Sequence, residues 1–207
     1  MSDTLNPRYG TIDQHYALAL AGTSPDNDGP VWMVNLMKYR EVADYADYAD
    51  GQVSTISGRE ADDRYAPVEI LGDIGAAPVF FGDVEQQLLG APTWDRVAVV
   101  KYPTRRSFID MQSRPDFHEA HQHKDAGMAE TIVMGCVPLP QPTTPPGVVF
   151  PDWKDVEHPS TAEDGPITVV HVLRFADPDA ARGVPDEMET YESAIATIAA
   201  RHGARVA

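Results

Sequence analysis

An eleven-residue stretch, Gly29-Pro-Val-Trp-Met-Val-Asn-Leu-Met-Lys-Tyr39, returns at an offset of 136 (166 − 30) as Gly165-Pro-Ile-Thr-Val-Val-His-Val-Leu-Arg-Phe175. Pro30 aligns with Pro166, Asn35 with His171, Lys38 with Arg174 and Tyr39 with Phe175. A short, almost continuous apolar run opened by Gly-Pro reads as a buried strand. A repeated strand reads as a repeated folding unit. Alternation places Trp32, Val34 and Leu36 on one face and Met33, Asn35, Met37 and Tyr39 on the other. The expectation is that a helix covers the aliphatic face, while the face carrying Asn35 (and, in the second copy, His171) walls a half-dry cavity.

The rest of the first copy follows from local signals. Thr11 and Gln14 have the spacing of a capping box, which predicts a short helix to about Ala21. Residues 1–30 thus form an N-terminal helix and turn. Residues 40–56 carry the acidic repeat Ala43-Asp-Tyr-Ala-Asp-Tyr-Ala-Asp50 and read as a loop or frayed helix. Ser57-Gly-Arg-Glu60 is a second capping box. Tyr65, Val68 and Leu71 follow at helical spacing, with Pro67 as a kink and Gly75 as the stop. Pro78–Val84 and Arg96–Tyr102 read as strands. Helices carrying Phe108 and Met111, then Phe117 to Met128, come next, and Thr131–Val137 is a last strand. Residues 31–137 therefore read as one complete βαββαβ domain: α+β, ferredoxin-like, with an antiparallel sheet.

Residues 138–166 hold eight of the chain's 18 prolines and read as an extended linker. Residues 167–207 begin a second copy: a strand over 167–175, a helix from about Val184 to His202 with Tyr191 as the counterpart of Tyr65, then the start of a strand. Ferredoxin-like sheets place the third strand between the first two, so this incomplete copy cannot close its own sheet. It is completed by another element or by a further half-repeat; the second reading is preferred.

Net charge is 16 − 32 = −16, which argues against nucleic acid or an anionic membrane as partner. No run approaches the length of a spanning helix. One cysteine, Cys136, allows no internal disulfide and reads as small buried filler. With no signal layout at the N-terminus, the expected compartment is the cytoplasm. There is no glycine-rich phosphate loop and no nucleophile elbow.

With these residues in hand, the first copy resembles the uncharacterised DUF family (number 1330) of the dimeric α/β-barrel superfamily. The resemblance is carried by the Gly29–Tyr39 strand, Ser57-Gly-Arg-Glu60 before Tyr65, Gly82-Asp83, Trp94-Asp95, Val99–Phe108 and Arg114-Pro-Asp-Phe-His-Glu-Ala-His121. It covers about residues 5–137 and, more weakly, 165–207. It implies a barrel made by two ferredoxin-like sheets face to face, from a homodimer or, pseudo-dimerically, from one tandem chain. Relatives across the superfamily run unrelated chemistries, so the fold does not settle the function.

Asn35 and His171 are the leading catalytic candidates, an amide and an imidazole able to polarise a carbonyl and move a proton. The alternative for each is a polar group satisfied inside the barrel. In His118-Glu-Ala-His-Gln-His123, helical geometry sets His121 about 60° from His118 and His123 about 160° from His121. His118 and His121 can share a face for acid/base work; three ligands on one metal ion cannot, so no metal or cofactor is expected. Met33, Met37, Tyr39, Arg59, Tyr65, Trp94 and Tyr102 are the candidate substrate-binding residues, with core packing or an acidic partner for Arg59 as the alternatives. The expected function is cofactor-independent proton transfer or oxygenation on a small apolar carbonyl or hydroxylated compound. A non-catalytic small-molecule binder or assembly module, and a haem or metal enzyme, are the alternatives.

Overall fold

A computed structural model describes residues 7–48, 55–137, 155, 161, 167–173, 186–202 and 204. The chain divides into two compact units, residues 1–138 and 139–207.

In the first unit, helix α1 spans Gln14–Ala21. Its N-cap is Asp13, which accepts from Tyr16 N–H, rather than the expected Thr11. Strand β1 is Val31–Tyr39. The Ser57/Glu60 capping box forms as read and starts α2, Gly58–Arg64. Pro67 does more than kink the next segment: it separates α2 from α3, Val68–Asp73, and turns Ile70 and Leu71 inward while Val68 stays exposed. Gly75 takes φ +71° and leads to β2, Ala77–Asp83. After β3, Arg96–Tyr102, Thr104 caps α4, Arg105–Met111. Pro115 opens α5, Pro115–Gly127, which runs straight into β4, Met128–Cys136.

All strand pairs are antiparallel and the sheet order is β2-β3-β1-β4. The first unit is thus α+β, with a four-stranded antiparallel sheet in which the first and third strands are central. That order is the one a split βαβ plan requires.

The helices lie on the face opposite to the one the sequence suggested. Val31 and Met33 of β1 and Tyr102 of β3 join one core with Leu20, Ile70, Leu71, Met111 and Phe117 of the helices. Met37 and Ala98 continue the same face with Tyr9 and Met128. Trp32, Val34 and Leu36 lie on the other face, across from Lys101, Val99 and Val97 of β3 and from Cys136, Met134 and Ile132 of β4. None of these belongs to a helix-packed cluster. Ile132 is 40% exposed, and Cys136 is exposed rather than buried filler. The error has a physical source: β1 is apolar on both faces, and such a run signals two buried faces without saying which one the helices take.

Two glycines set how closely α2 and α5 approach. A Cβ on Gly58 would strike the Gly127 carbonyl, and one on Gly127 would strike the Gly58 carbonyl. The Arg40 backbone ties the two together, donating to Gly127 O (2.8 Å) and accepting from Gly58 N–H (3.0 Å). The C-terminal turn of α5 is thereby held against the end of β1.

In the second unit the sole described helix is α6, Asp186–Arg201. Residues 167–173, expected as a strand, show no regular secondary structure, and Ile167 and Val169 are 90% and 70% exposed. A strand exists through its neighbours, and no described residue of this unit pairs with the segment. Residues 174 and 175, most of the linker, and most of the last expected strand lie outside the described residues.

Candidate functional site

The sheet face under α2 and α5 carries a layer of buried polar groups. Its centre is Asn35, which is 9% exposed. Asn35 Nδ2 donates back to Met33 O (3.1 Å), and Oδ1 accepts from Lys124 Nζ (3.1 Å). Lys124 is 8% exposed and arrives from the last turn of α5. Its ammonium lies 5.5 Å from the centre of the Tyr65 ring. Among the described residues no carboxylate stands within ion-pair distance of Nζ. Burial lowers the Lys124 pKa from its ordinary value, and the more distant Asp62 only partly opposes this.

His121 stands one helical turn before Lys124. Its Nε2 is hydrogen-bonded to the Tyr9 hydroxyl (2.7 Å), and its ring meets those of Tyr65 and Phe117 at centroid distances of 6.0 and 5.2 Å. Burial, with Lys124 nearby, pushes the His121 pKa down to about 4, so the imidazole is neutral at pH 7. Of the two histidines expected to share a face for acid/base work, His121 is thus the one drawn into the buried layer. Burial likewise raises the Tyr9 and Tyr65 hydroxyl pKa values and keeps both protonated. Thr131, nine-tenths buried on β4 and directly across from Met37, has a side-chain hydroxyl with no hydrogen-bond partner among the described residues.

A charged network bounds the layer. The Tyr39 hydroxyl donates to Asp62 (2.7 Å), and Arg96, 5% exposed, reaches Asp62 (3.3 Å), Asp63 (2.8 Å) and Asp83 (2.8 Å). Burial works against the Arg96 charge, but the hydrogen bonds to Asp63 and Asp83 outweigh it and raise the pKa. Arg59 completes the set from outside, with Nη1 on both Asp83 oxygens (3.0 and 2.9 Å). Its partner is an acidic side chain, the alternative weighed for it.

The structure thus gathers Asn35, Tyr65 and His121 around one point and leaves Tyr39 and Met37 beside it. Met33 and Tyr102 belong to the adjoining apolar core, where Tyr102 packs edge-on to Phe108. Trp94 sits on the loop before β3, its backbone N–H bonded to Gln87. His118 is exposed and His123 turns to the Tyr45 hydroxyl (2.8 Å), so the three histidines of α5 point to three environments. Among the described residues no three His, Cys, Asp or Glu side chains gather as metal ligands. His171 belongs to the second unit, exposed and hydrogen-bonded through Nδ1 to the Tyr191 hydroxyl. Asn35 does not share the side of Trp32, Val34 and Leu36; it faces the helices.

Lys124 was not among the candidates read from the sequence. The signal was present: Phe117, Ala120, His121 and Lys124 fall at helical spacing, so a lysine occupies a position on the inward stripe.

No family model and no curated protein matches the chain. Among solved structures it is similar to the crystal structure of methylated RPA0582 protein, at 28% identity and TM-score 0.52, over 67% of this chain and 96% of that one. It is also similar to the RPA0582 protein of unknown function from Rhodopseudomonas palustris, at 26% identity and TM-score 0.52, over 65% and 99%.

Proposed function

We propose that the first unit is a cofactor-independent small-molecule enzyme of the dimeric α/β-barrel type. It acts by proton transfer on a small, mostly apolar carbonyl or hydroxylated compound. The observation that supports this reading is the Asn35–Lys124 pair: a buried amine whose polar partner is a neutral amide. An ion-paired lysine stays protonated and inert; one desolvated without a counter-charge is shifted toward the free base. In the proposed reaction Lys124 takes a proton from the carbon beside a carbonyl, or from a hydroxyl. The Thr131 hydroxyl and the Asn35 amide are the hydrogen-bonding groups for the substrate oxygen. The Tyr9–His121 pair beside it is neutral on both sides.

The apolar character of the second sheet face supports the barrel part of the reading. Trp32, Val34, Ile132 and Met134 present a contiguous apolar surface, and the resemblance to the dimeric barrel family implies a second copy as its cover.

The test is hydrogen exchange at the α carbon of 2-butanone in D2O, followed by proton NMR. Wild-type protein should accelerate exchange, and Lys124→Met should lose on the order of a hundredfold or more of that acceleration, the usual share of a general base. Equal exchange with and without protein over a panel of small ketones and phenols would rule the reading out.

A further inference from the structure

The cations around the layer are held by carboxylates: Arg8 by Asp44, Asp47 and Asp125, Arg59 by Asp83, Arg96 by Asp62, Asp63 and Asp83. Lys124 has no such carboxylate among the described residues, and Asn35 Oδ1 stands in its place. An amide accepts one hydrogen bond from Nζ and leaves no negative charge to fix a proton there. The Tyr65 ring stands over the amine, Ala98 lies directly across the sheet from Asn35, and Tyr9, Met37 and Met128 continue the apolar surface from Ala98. A free amine in such a setting is a nucleophile as well as a base.

We propose that Lys124 is an imine-forming lysine that takes small, uncharged aldehydes or ketones. This deepens the reading above and rests on the same placement of substrate beside Asn35. The Nζ lone pair forms a bond to the carbonyl carbon while the C=O π pair moves to oxygen. Nitrogen loses a proton, oxygen gains one, and a carbinolamine results. A second proton on that oxygen lets it leave as water, and the nitrogen lone pair closes the C=N bond. The net change is amine plus carbonyl plus one proton from solvent to protonated imine plus water, with no oxidant or reductant. Asn35 Oδ1, which accepts from Nζ in the free protein, orients the lone pair and accepts the N–H of the carbinolamine. The buried Thr131 hydroxyl, without a partner among the described residues, is the donor for the carbonyl oxygen. Lys124 thus ties up the carbonyl as a protonated imine, which also acidifies the adjacent C–H that the proton-transfer reading requires.

The experiment is reductive trapping of the full chain with 2-butanone and cyanoborohydride at pH 7, read by peptide mass spectrometry. Reduction of an imine adds the mass of the ketone less its oxygen. The expected result is label on Lys124 in clear preference to the surface residue Lys101, because burial with an amide in place of a carboxylate favours the neutral, nucleophilic amine. Lys124→Arg should abolish the label at this position. Asn35→Asp should suppress it, by returning a carboxylate to the amine, while circular dichroism reports that the fold is retained. Label on Lys101 with none on Lys124 would overturn the imine. If α-carbon exchange persists under those conditions, proton transfer by a non-covalent base survives alone; if exchange is also absent, both readings fall. Trapping without exchange would keep the imine and discard proton transfer.

Discussion

Lys124 Nζ and Asn35 Oδ1 meet at 3.1 Å across 89 residues of sequence, one on the last turn of α5 and the other in the middle of the central strand. This contact joins the end of the domain to its beginning and places a buried amine where no carboxylate of the described residues lies within ion-pair distance. Its folded-state pKa lies below its unfolded value of 10.5. The unfolded chain therefore binds the proton more tightly, and the residue's contribution to stability grows as pH rises toward 10.5. Equilibrium denaturation of wild type and Lys124→Met across pH 6 to 10 should show the difference moving in favour of wild type with increasing pH. A pH-independent difference would mean that Lys124 keeps an ordinary pKa.

His121 has the same sign in a lower window. Its pKa falls from 6.5 unfolded to about 4 folded, so stability is full above 6.5 and is lost as pH drops toward 4. The loss over that range is on the order of 3 kcal/mol, taking roughly 1.4 kcal/mol per unit. NMR titration should leave the His121 imidazole neutral down to about pH 4. Tyr9→Phe, which removes its hydrogen-bond partner, should cost about 1 kcal/mol at neutral pH.

The two arginines on Asp83 should behave differently. Arg96 is 5% exposed and satisfies Asp62, Asp63 and Asp83, so Arg96→Met strands a buried carboxylate and should cost about 3–5 kcal/mol in urea unfolding. The Arg59 side chain is 42% exposed, and Arg59→Ala should cost less than about 1 kcal/mol. Equal costs would show that the network is not anchored at its buried end.

If a second copy covers the face of Trp32, Val34 and Ile132, a charge planted there should separate the copies. Val34→Asp and Ile132→Lys should each shift sedimentation velocity from dimer to monomer. Far-ultraviolet circular dichroism should change little, because these side chains lie outside the helix-packed cores. A wild-type protein that sediments as a monomer would remove the dimeric barrel.

How much of this was legible before the structure differs from residue to residue. The Ser57/Glu60 box, the β1 boundaries, β3 and the order of strands and helices over residues 31–137 are local signals, and each formed as read. The face of β1 was misread because Trp32, Val34 and Leu36 are as apolar as Val31 and Met33, and alternation cannot choose between two greasy sides. Asn35 and Tyr65 were singled out as unusual, yet the group joining them is a lysine. Lysine on a helix is ordinarily solvated, and only its spacing from Phe117 and His121 set this one apart. Asp62 was passed over for the same reason, since burial of a carboxylate depends on Arg96 and Tyr39 arriving from other strands. The 167–173 segment shows the reverse: its pattern is that of β1, and pattern without neighbours made no strand.

The meeting of Gly58 and Gly127 bears on what can vary in such a site. Main chain against main chain, with Arg40 stitched between, fixes the height of α5 above the sheet within three residues of Lys124. Changes among Tyr65, Met37, Ala98 or Met128 can then reshape the room around the amine without raising or lowering the amine itself. Chemistry and selectivity are adjustable separately here: the first is anchored by backbone, the second is written in replaceable side chains.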